Sequence, residues 1–113
     1  MPDTWFLANK DSNLAKIKQA VEEAKQGQVT LIDVRTPEEF RTGYVTGAIN
    51  WDLARLTNGD LPRLAKSQKT YLYCRSGGRA GVAKKILERE GYTDVVNLGG
   101  IDDLQSAGGA VIQ

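Results

Sequence analysis

The residues best placed to do chemistry in this chain fall within one hexapeptide, Cys74-Arg75-Ser76-Gly77-Gly78-Arg79. Cysteine attacks as the thiolate, which is favoured by a helix N-terminus and by neighbouring arginines. Both conditions are implied here. Tyr71-Leu72-Tyr73 is a β-prone run, and Val82, Ile86 and Leu87 recur at helical spacing, so the loop joins a strand to a helix that starts near Gly78 or Arg79. Gly77 and Gly78 permit backbone angles that a side chain forbids. Successive amides in such a turn converge on an anion, and the positive end of the following helix adds to the field. Arg75 and Arg79 bring permanent charge for an anionic group. A thiolate or persulfide at Cys74 would rest in this cradle without a general base.

The chain has no histidine, which removes the Cys–His pair used by many cysteine enzymes and, with a single cysteine, the usual zinc ligand set. No metal and no cofactor are expected. Cys74 read in isolation is a small buried hydrophobe at a strand end; the loop attached to it argues for a nucleophile. Arginine at a helix start opposes the macrodipole, so Arg75 and Arg79 there point toward an anionic ligand. A second polar feature, Asp33-Val34-Arg35, closes another apolar run. It reads equally as a structural ion pair or as part of a substrate site. Trp51, Tyr71 and Tyr73 read as packing rather than pocket.

The elements around these residues alternate. Leu14, Ile17, Val21 and Ala24 mark a helix, with Asp11 or Ser12 as its cap and Gly27 as its stop. Val29 to Val34 is a strand by length and β-branching. Thr36-Pro37-Glu38-Glu39 opens a short helix with a capping box and proline at its first position, ending near Gly43. Gly47 to Asn50 is a brief strand. Leu53 to Leu64 is turn-rich and helical, broken at Asn58-Gly59 and Pro62. After the strand and helix flanking Cys74, the helix stopping at Gly91, Val95 to Leu98 is a strand and a last helix runs through Leu104. This alternation predicts one α/β domain spanning 1–113, a parallel sheet of about five strands with helices on both faces. Ligands of such sheets gather at the carboxyl ends of the strands, where both polar features fall.

Bulk composition is that of a soluble globular protein, 41% apolar and 26% charged, with a net charge of +1. That balance suggests neither nucleic acid nor a membrane surface as partner. Trp5-Phe6-Leu7-Ala8 is too short for a signal-peptide core, and no run is long enough to cross a bilayer. A lone cysteine calls for no oxidising compartment, so a cytoplasmic protein is expected. Nothing in the sequence demands more than a monomer.

The ordered motifs of this chain resemble those of the rhodanese-like sulfurtransferases. Leu31-Ile32-Asp33-Val34-Arg35-Thr36-Pro37-Glu38-Glu39-Phe40 is similar to the family's first signature, and Gly43-Tyr44-Val45-Thr46-Gly47-Ala48-Ile49-Asn50 to its second. Tyr71 to Ala80 resembles the active-site loop, and Asn97-Leu98-Gly99-Gly100-Ile101 the closing signature; the match runs from about Leu14 to about Val111. The resemblance implies that Cys74 takes the sulfane sulfur of a small anionic donor such as thiosulfate, releasing sulfite. The Cys74 persulfide then passes that sulfur to a thiophilic acceptor: cyanide in an assay, a thiol or protein cysteine in a cell. It also implies that Arg75, Ser76, Gly77, Gly78 and Arg79 form the substrate cradle, and that Asp33 and Arg35 support it. Two positions depart from the pattern. Tyr44 stands where the family commonly has histidine, and Leu104 where it often has tryptophan, a change expected to affect packing.

Two other functions compete. Phosphatases and arsenate reductases of related fold hold cysteine in a similar cradle, but the common phosphatase loop has one more residue than the four between Cys74 and Arg79. The shorter loop suits a single sulfur better than a phosphoryl group. A non-catalytic docking module on the same fold typically loses the cysteine or degrades the loop, and this chain keeps both.

Overall fold

Side-chain alternation along two central strands divides the core. The computed structural model describes residues 2–113, with side chains described from residue 13 onward. In β1 (Thr30–Asp33) and β4 (Thr70–Cys74), successive residues point to opposite faces. Leu31, Tyr71 and Tyr73 enter one cluster with Ile17, Val21 and Leu104. Ile32, Leu72 and Cys74 enter the other with Leu56, Ala83 and Leu87. The first cluster is roofed by α1 (Pro2–Lys25) and α5 (Ile101–Ser106), the second by α3 (Leu53–Thr57) and α4 (Gly78–Arg89). Strands buried on both faces read as continuous apolar runs, which is why periodicity alone did not mark them.

The main sheet is parallel and has four strands in the order β3-β1-β4-β5, with β3 at Ala48–Asn50 and β5 at Val95–Gly100. The expectation of about five strands is corrected by one. Two further strands, β2 (Tyr44–Val45) and β6 (Val111–Ile112), pair antiparallel in a separate ribbon. At two residues each they are too short to show any alternation. Helix α2 (Pro37–Thr42) buries no residue, and is held by its capping box: the Glu39 N–H donates to Thr36 Oγ1 at 3.2 Å and the Thr36 N–H to Glu39 Oε1 at 3.3 Å.

The start of α1 also differs from expectation. Its helical backbone begins at Pro2 and passes through Asp11 and Ser12, so neither begins the helix; their side chains lie outside those described. Between Pro2 and Lys25 there is no glycine and no second proline to break the run, and proline is favoured at a first helical position. The helix stops before Gly27, which has φ 75°. No helix of the described residues is long and apolar enough to cross a membrane.

This architecture brings the ends of three strands side by side. β1 is paired with β3 and with β4, so Asn50, Asp33 and Cys74 all close neighbouring strands at the carboxyl edge of the sheet. Bonds beyond the ladder tighten that edge: the Val34 N–H donates to Tyr73 O at 3.1 Å and the Trp51 N–H to Asp33 O at 2.9 Å.

Candidate active site

Cys74 is the last residue of β4 and is 1% exposed. Its sulfur is turned back onto the start of α4. Sγ accepts the Gly77 N–H at 3.0 Å and the Ala80 N–H at 3.4 Å. Gly77 is the N-cap of α4 and carries no side chain to satisfy the free amides of the first turn. The cysteine sulfur does so instead, reaching across the loop. Gly77 sits at φ 96°, in the left-handed region, so the turn that aims its N–H at sulfur needs glycine. Two amides and the positive end of α4 therefore converge on one sulfur, the arrangement of an anion-binding turn.

The loop is held from behind by β5. Here the β4–β5 ladder shifts register between Leu72 and Cys74, and Cys74 pairs with Gly100. A methyl group on Gly100 would collide with the Arg75 carbonyl oxygen, and would lie 3.2 Å from Ser76 Cα. On Gly77 it would lie 3.3 Å from Gly99 Cα. The two backbones therefore touch through glycines on both sides. Asn97 ties them together: its Nδ2 donates to Gly77 O at 3.0 Å, and its Oδ1 accepts the Gly99 N–H at 2.8 Å. Sequence reasoning placed Asn97 in a strand without assigning it this contact. A polar residue just before Leu98-Gly99-Gly100 was the available signal.

The two loop arginines part company. Arg75 is exposed and, among the described residues, has no ion-pair partner. Arg79 is clasped by Glu39, with Nη1–Oε1 at 2.6 Å and Nη2–Oε2 at 2.9 Å. At the helix start, where the dipole disfavours it, Arg79 already holds an anion, the carboxylate of α2. Arg79's hydrogen bonds hold the Glu39 carboxyl at about 2, below an ordinary 4.5, with burial opposing and the Thr36 amide assisting. In return, Glu39's hydrogen bonds raise the Arg79 pKa against its burial, and the charges of Glu39, Cys74 and Asp33 add to the effect. Glu39 was legible beforehand only as a capping residue.

Asp33 and Arg35 form a sealed structural pair. Their side chains are 0% and 7% exposed, with Nη2–Oδ2 at 2.7 Å. Arg35 Nη2 also donates to Gly43 O at 2.6 Å, and Asn50 Nδ2 donates to both Asp33 O and Arg35 O, at 3.0 and 2.9 Å. Burial opposes the Arg35 charge, but its bonds to Asp33 and the Asp33 charge leave its pKa raised. These contacts pin the end of β1 to β2 and β3, one strand away from Cys74.

Tyr73 and Trp51 pack, as expected, whereas Tyr71 joins the core and also lines a surface cavity with Lys16, Gln19 and Lys69. Tyr73 is fully buried, accepts the Val45 N–H at 3.0 Å and has its pKa driven up by burial. Trp51 Nε1 donates to Asp60 O at 2.8 Å beneath the Arg55 guanidinium. At the two positions that depart from the motifs, Tyr44 stacks on Phe40 with centroids 4.0 Å apart, and Leu104 is 0% exposed in the core.

Known proteins resemble this chain in sequence and fold. The rhodanese-like domain family matches the chain over residues 16–107. The thiosulfate sulfurtransferase PspE of Escherichia coli K12 is 39% identical over 74 residues, which is 65% of this chain and 71% of PspE. A sulfurtransferase of Allochromatium vinosum is 35% identical over 72 residues, 64% of this chain and 66% of that protein. With an uncharacterized Synechocystis relative, the match spans only 42% of the relative's length. Among solved structures, a rhodanese with anions from E. coli superposes with a TM-score of 0.62 at 34% identity, covering 74% of this chain and 96% of that one. A rhodanese-like domain from Anabaena gives a TM-score of 0.69 at 26% identity, covering 75% of this chain and 99% of its own.

Proposed function

The chain belongs to the rhodanese-like domain family, and from that premise we propose that it is a sulfurtransferase working through a persulfide on Cys74. The observation that carries this reading is the Cys74 sulfur held by the Gly77 and Ala80 amides at the head of α4. In the first step the Cys74 thiolate attacks the outer sulfur of a donor such as thiosulfate. A new S–S bond forms on Cys74, the donor's own S–S bond breaks, and its electron pair leaves on sulfite. In the second step a nucleophile attacks the outer sulfur of the persulfide, that S–S bond breaks, and the Cys74 thiolate is restored. Charge balances in both steps, no proton need be removed from sulfur by a base, and no metal or cofactor takes part. Separation into two half-reactions predicts ping-pong kinetics.

Each loop residue has a task in this scheme. The Gly77 and Ala80 amides, set by the turn from Arg75 through Ser76 and Gly78 to Arg79, stabilise the anionic sulfur before and after the second sulfur is added. The exposed Arg75 draws the donor to the mouth of the cradle. Asp33 and Arg35 act indirectly, by fixing the strand beside β4. Burial of Sγ favours small donors, with the outer persulfide sulfur about 2 Å farther out to meet a thiol or a protein cysteine. Such a thiol chemistry suits a reducing compartment such as the cytoplasm.

Incubation with thiosulfate should add the mass of one sulfur to the intact protein, and Cys74→Ser should abolish the gain together with thiocyanate formation from cyanide. A protein that gains no sulfur, with a Cys74→Ser variant as active as the parent, would sink the reading. A phosphotyrosine-analogue assay run alongside should show no turnover.

A further inference from the structure

The side chain that a donor's sulfonyl oxygens would be expected to use is already engaged. Both Nη atoms of Arg79 lie on the Glu39 carboxylate, the fork-on-fork geometry by which arginine also takes a sulfonate or a phosphate. Glu39 is itself anchored, because Oε1 accepts both the backbone N–H and the hydroxyl of Thr36, at 3.3 and 3.2 Å. The capping box of α2 thus presents the carboxylate to α4, 40 residues away in the chain. The pair is half open, with side chains 35% and 30% exposed, whereas the Asp33–Arg35 pair is sealed. A solute reaching the Cys74 loop can therefore compete for the Arg79 fork, and it meets the Glu39 charge when it does.

We propose that Glu39 sets donor specificity: as a built-in occupant of the Arg79 fork, it disfavours doubly charged sulfane donors relative to singly charged ones. The inference rests on the sulfurtransferase reading above. Two effects act in the same direction. A donor's sulfonyl oxygens must displace an intramolecular ligand, and the carboxylate repels a dianion more strongly than a monoanion. Both bear on donor capture, so they fall on KM. Glu39 touches no reacting atom: it acts on donor capture by holding Arg79 and by its own charge, and is a positioning residue.

Thiosulfate and methanethiosulfonate make the test, since each offers a sulfane sulfur on a sulfonyl group, as dianion and monoanion. Transfer to Cys74 releases sulfite from one and methanesulfinate from the other. Glu39→Gln removes the charge but keeps a side-chain oxygen for the Thr36 cap. The ratio of kcat/KM for thiosulfate to that for methanethiosulfonate should rise about fivefold, the scale of one partly exposed ion pair, and the rise should come from KM. Arg79→Gln leaves the carboxylate unmatched and should lower the ratio; adding Glu39→Gln to it should bring the ratio back. A ratio that stays fixed in all three variants, while both donors slow in parallel, would reduce Glu39 to a loop support and overturn the proposal. Wild-type protein that takes sulfur from neither donor would remove the sulfurtransferase reading itself, and this inference with it.

Discussion

Replacing Gly100 by alanine should disable the Cys74 loop without touching any of its residues. The added methyl group meets only backbone: the Arg75 carbonyl oxygen well inside contact distance, Arg75 C at 3.1 Å and Ser76 Cα at 3.2 Å. Comfortable carbon contacts lie near 3.5–4.0 Å, so the loop must retreat by about 0.5–1 Å. Backbone cannot swing aside as a flexible side-chain tip can. Overpacking of this kind costs about 1–3 kcal/mol of stability. The effect on chemistry is larger, because the same movement lengthens the 3.0 Å bond from the Gly77 N–H to Sγ toward a distance where it no longer counts. A misplacement of about 1 Å at a reacting group can cost about a hundredfold in rate. The assay is the rate of persulfide formation, read by intact mass, alongside a thermal melt. Gly81→Ala serves as the control: a methyl there finds only Asn97 Nδ2 at 3.6 Å, in a helix where alanine is favoured by about 1 kcal/mol, so the melt should rise and sulfur transfer persist. Near-wild-type persulfide formation in folded Gly100→Ala would refute the claim that the loop's position is set by β5.

Two other perturbations have defined outcomes. Tyr73→Phe keeps the ring but leaves the Val45 N–H without its acceptor at a position that is 0% exposed, so stability to urea should fall by about 2 kcal/mol; an unchanged midpoint would remove that bond from the fold's support. Glu39 has a folded pKa of about 2 against an ordinary 4.5, so its contribution is complete above pH 4.5 and is lost as pH falls toward 2. The shift alone suggests about 3 kcal/mol, but a pair roughly a third exposed to solvent delivers nearer to about 1 kcal/mol. Glu39→Gln should flatten the acid limb of a stability profile between those pH values, and a limb of unchanged slope would contradict the assignment.

The parts of this molecule that were readable in its sequence are those carried by neighbours in the chain. The Thr36–Glu39 capping box, the stop before Gly27 and the turn at Gly77-Gly78 each depend on a few consecutive residues, and each stands where it was expected. So does the opening of the helix after Cys74. The two-residue strands β2 and β6 escaped because they owe their existence to each other, 66 positions apart in sequence from Val45 to Val111. The state of Arg79 escaped for the same reason: charge and spacing place an arginine beside the cysteine, but only the tertiary fold decides that Glu39 reaches it first. Asp33 and Arg35 were close enough in sequence to suggest a pair, yet their burial follows from β1 lying between two other strands. Leu104, where a tryptophan was a familiar alternative, shows how little a core position says about chemistry.

The glycine contact between the Cys74 loop and β5 bears on how this loop could be moved to another protein. Transplanting Cys74 to Arg79 onto a foreign strand–helix junction would carry the thiol, the arginines and the helix start, but not the surface that gives the loop its shape. Gly99 and Gly100 present bare backbone to Gly77 and Arg75, and Asn97 fastens Gly77 from the same strand. The smallest transferable unit is therefore two segments that are remote in the chain and adjacent in space. A graft that brings the loop and leaves Asn97-Leu98-Gly99-Gly100 behind should yield a cysteine with ordinary reactivity.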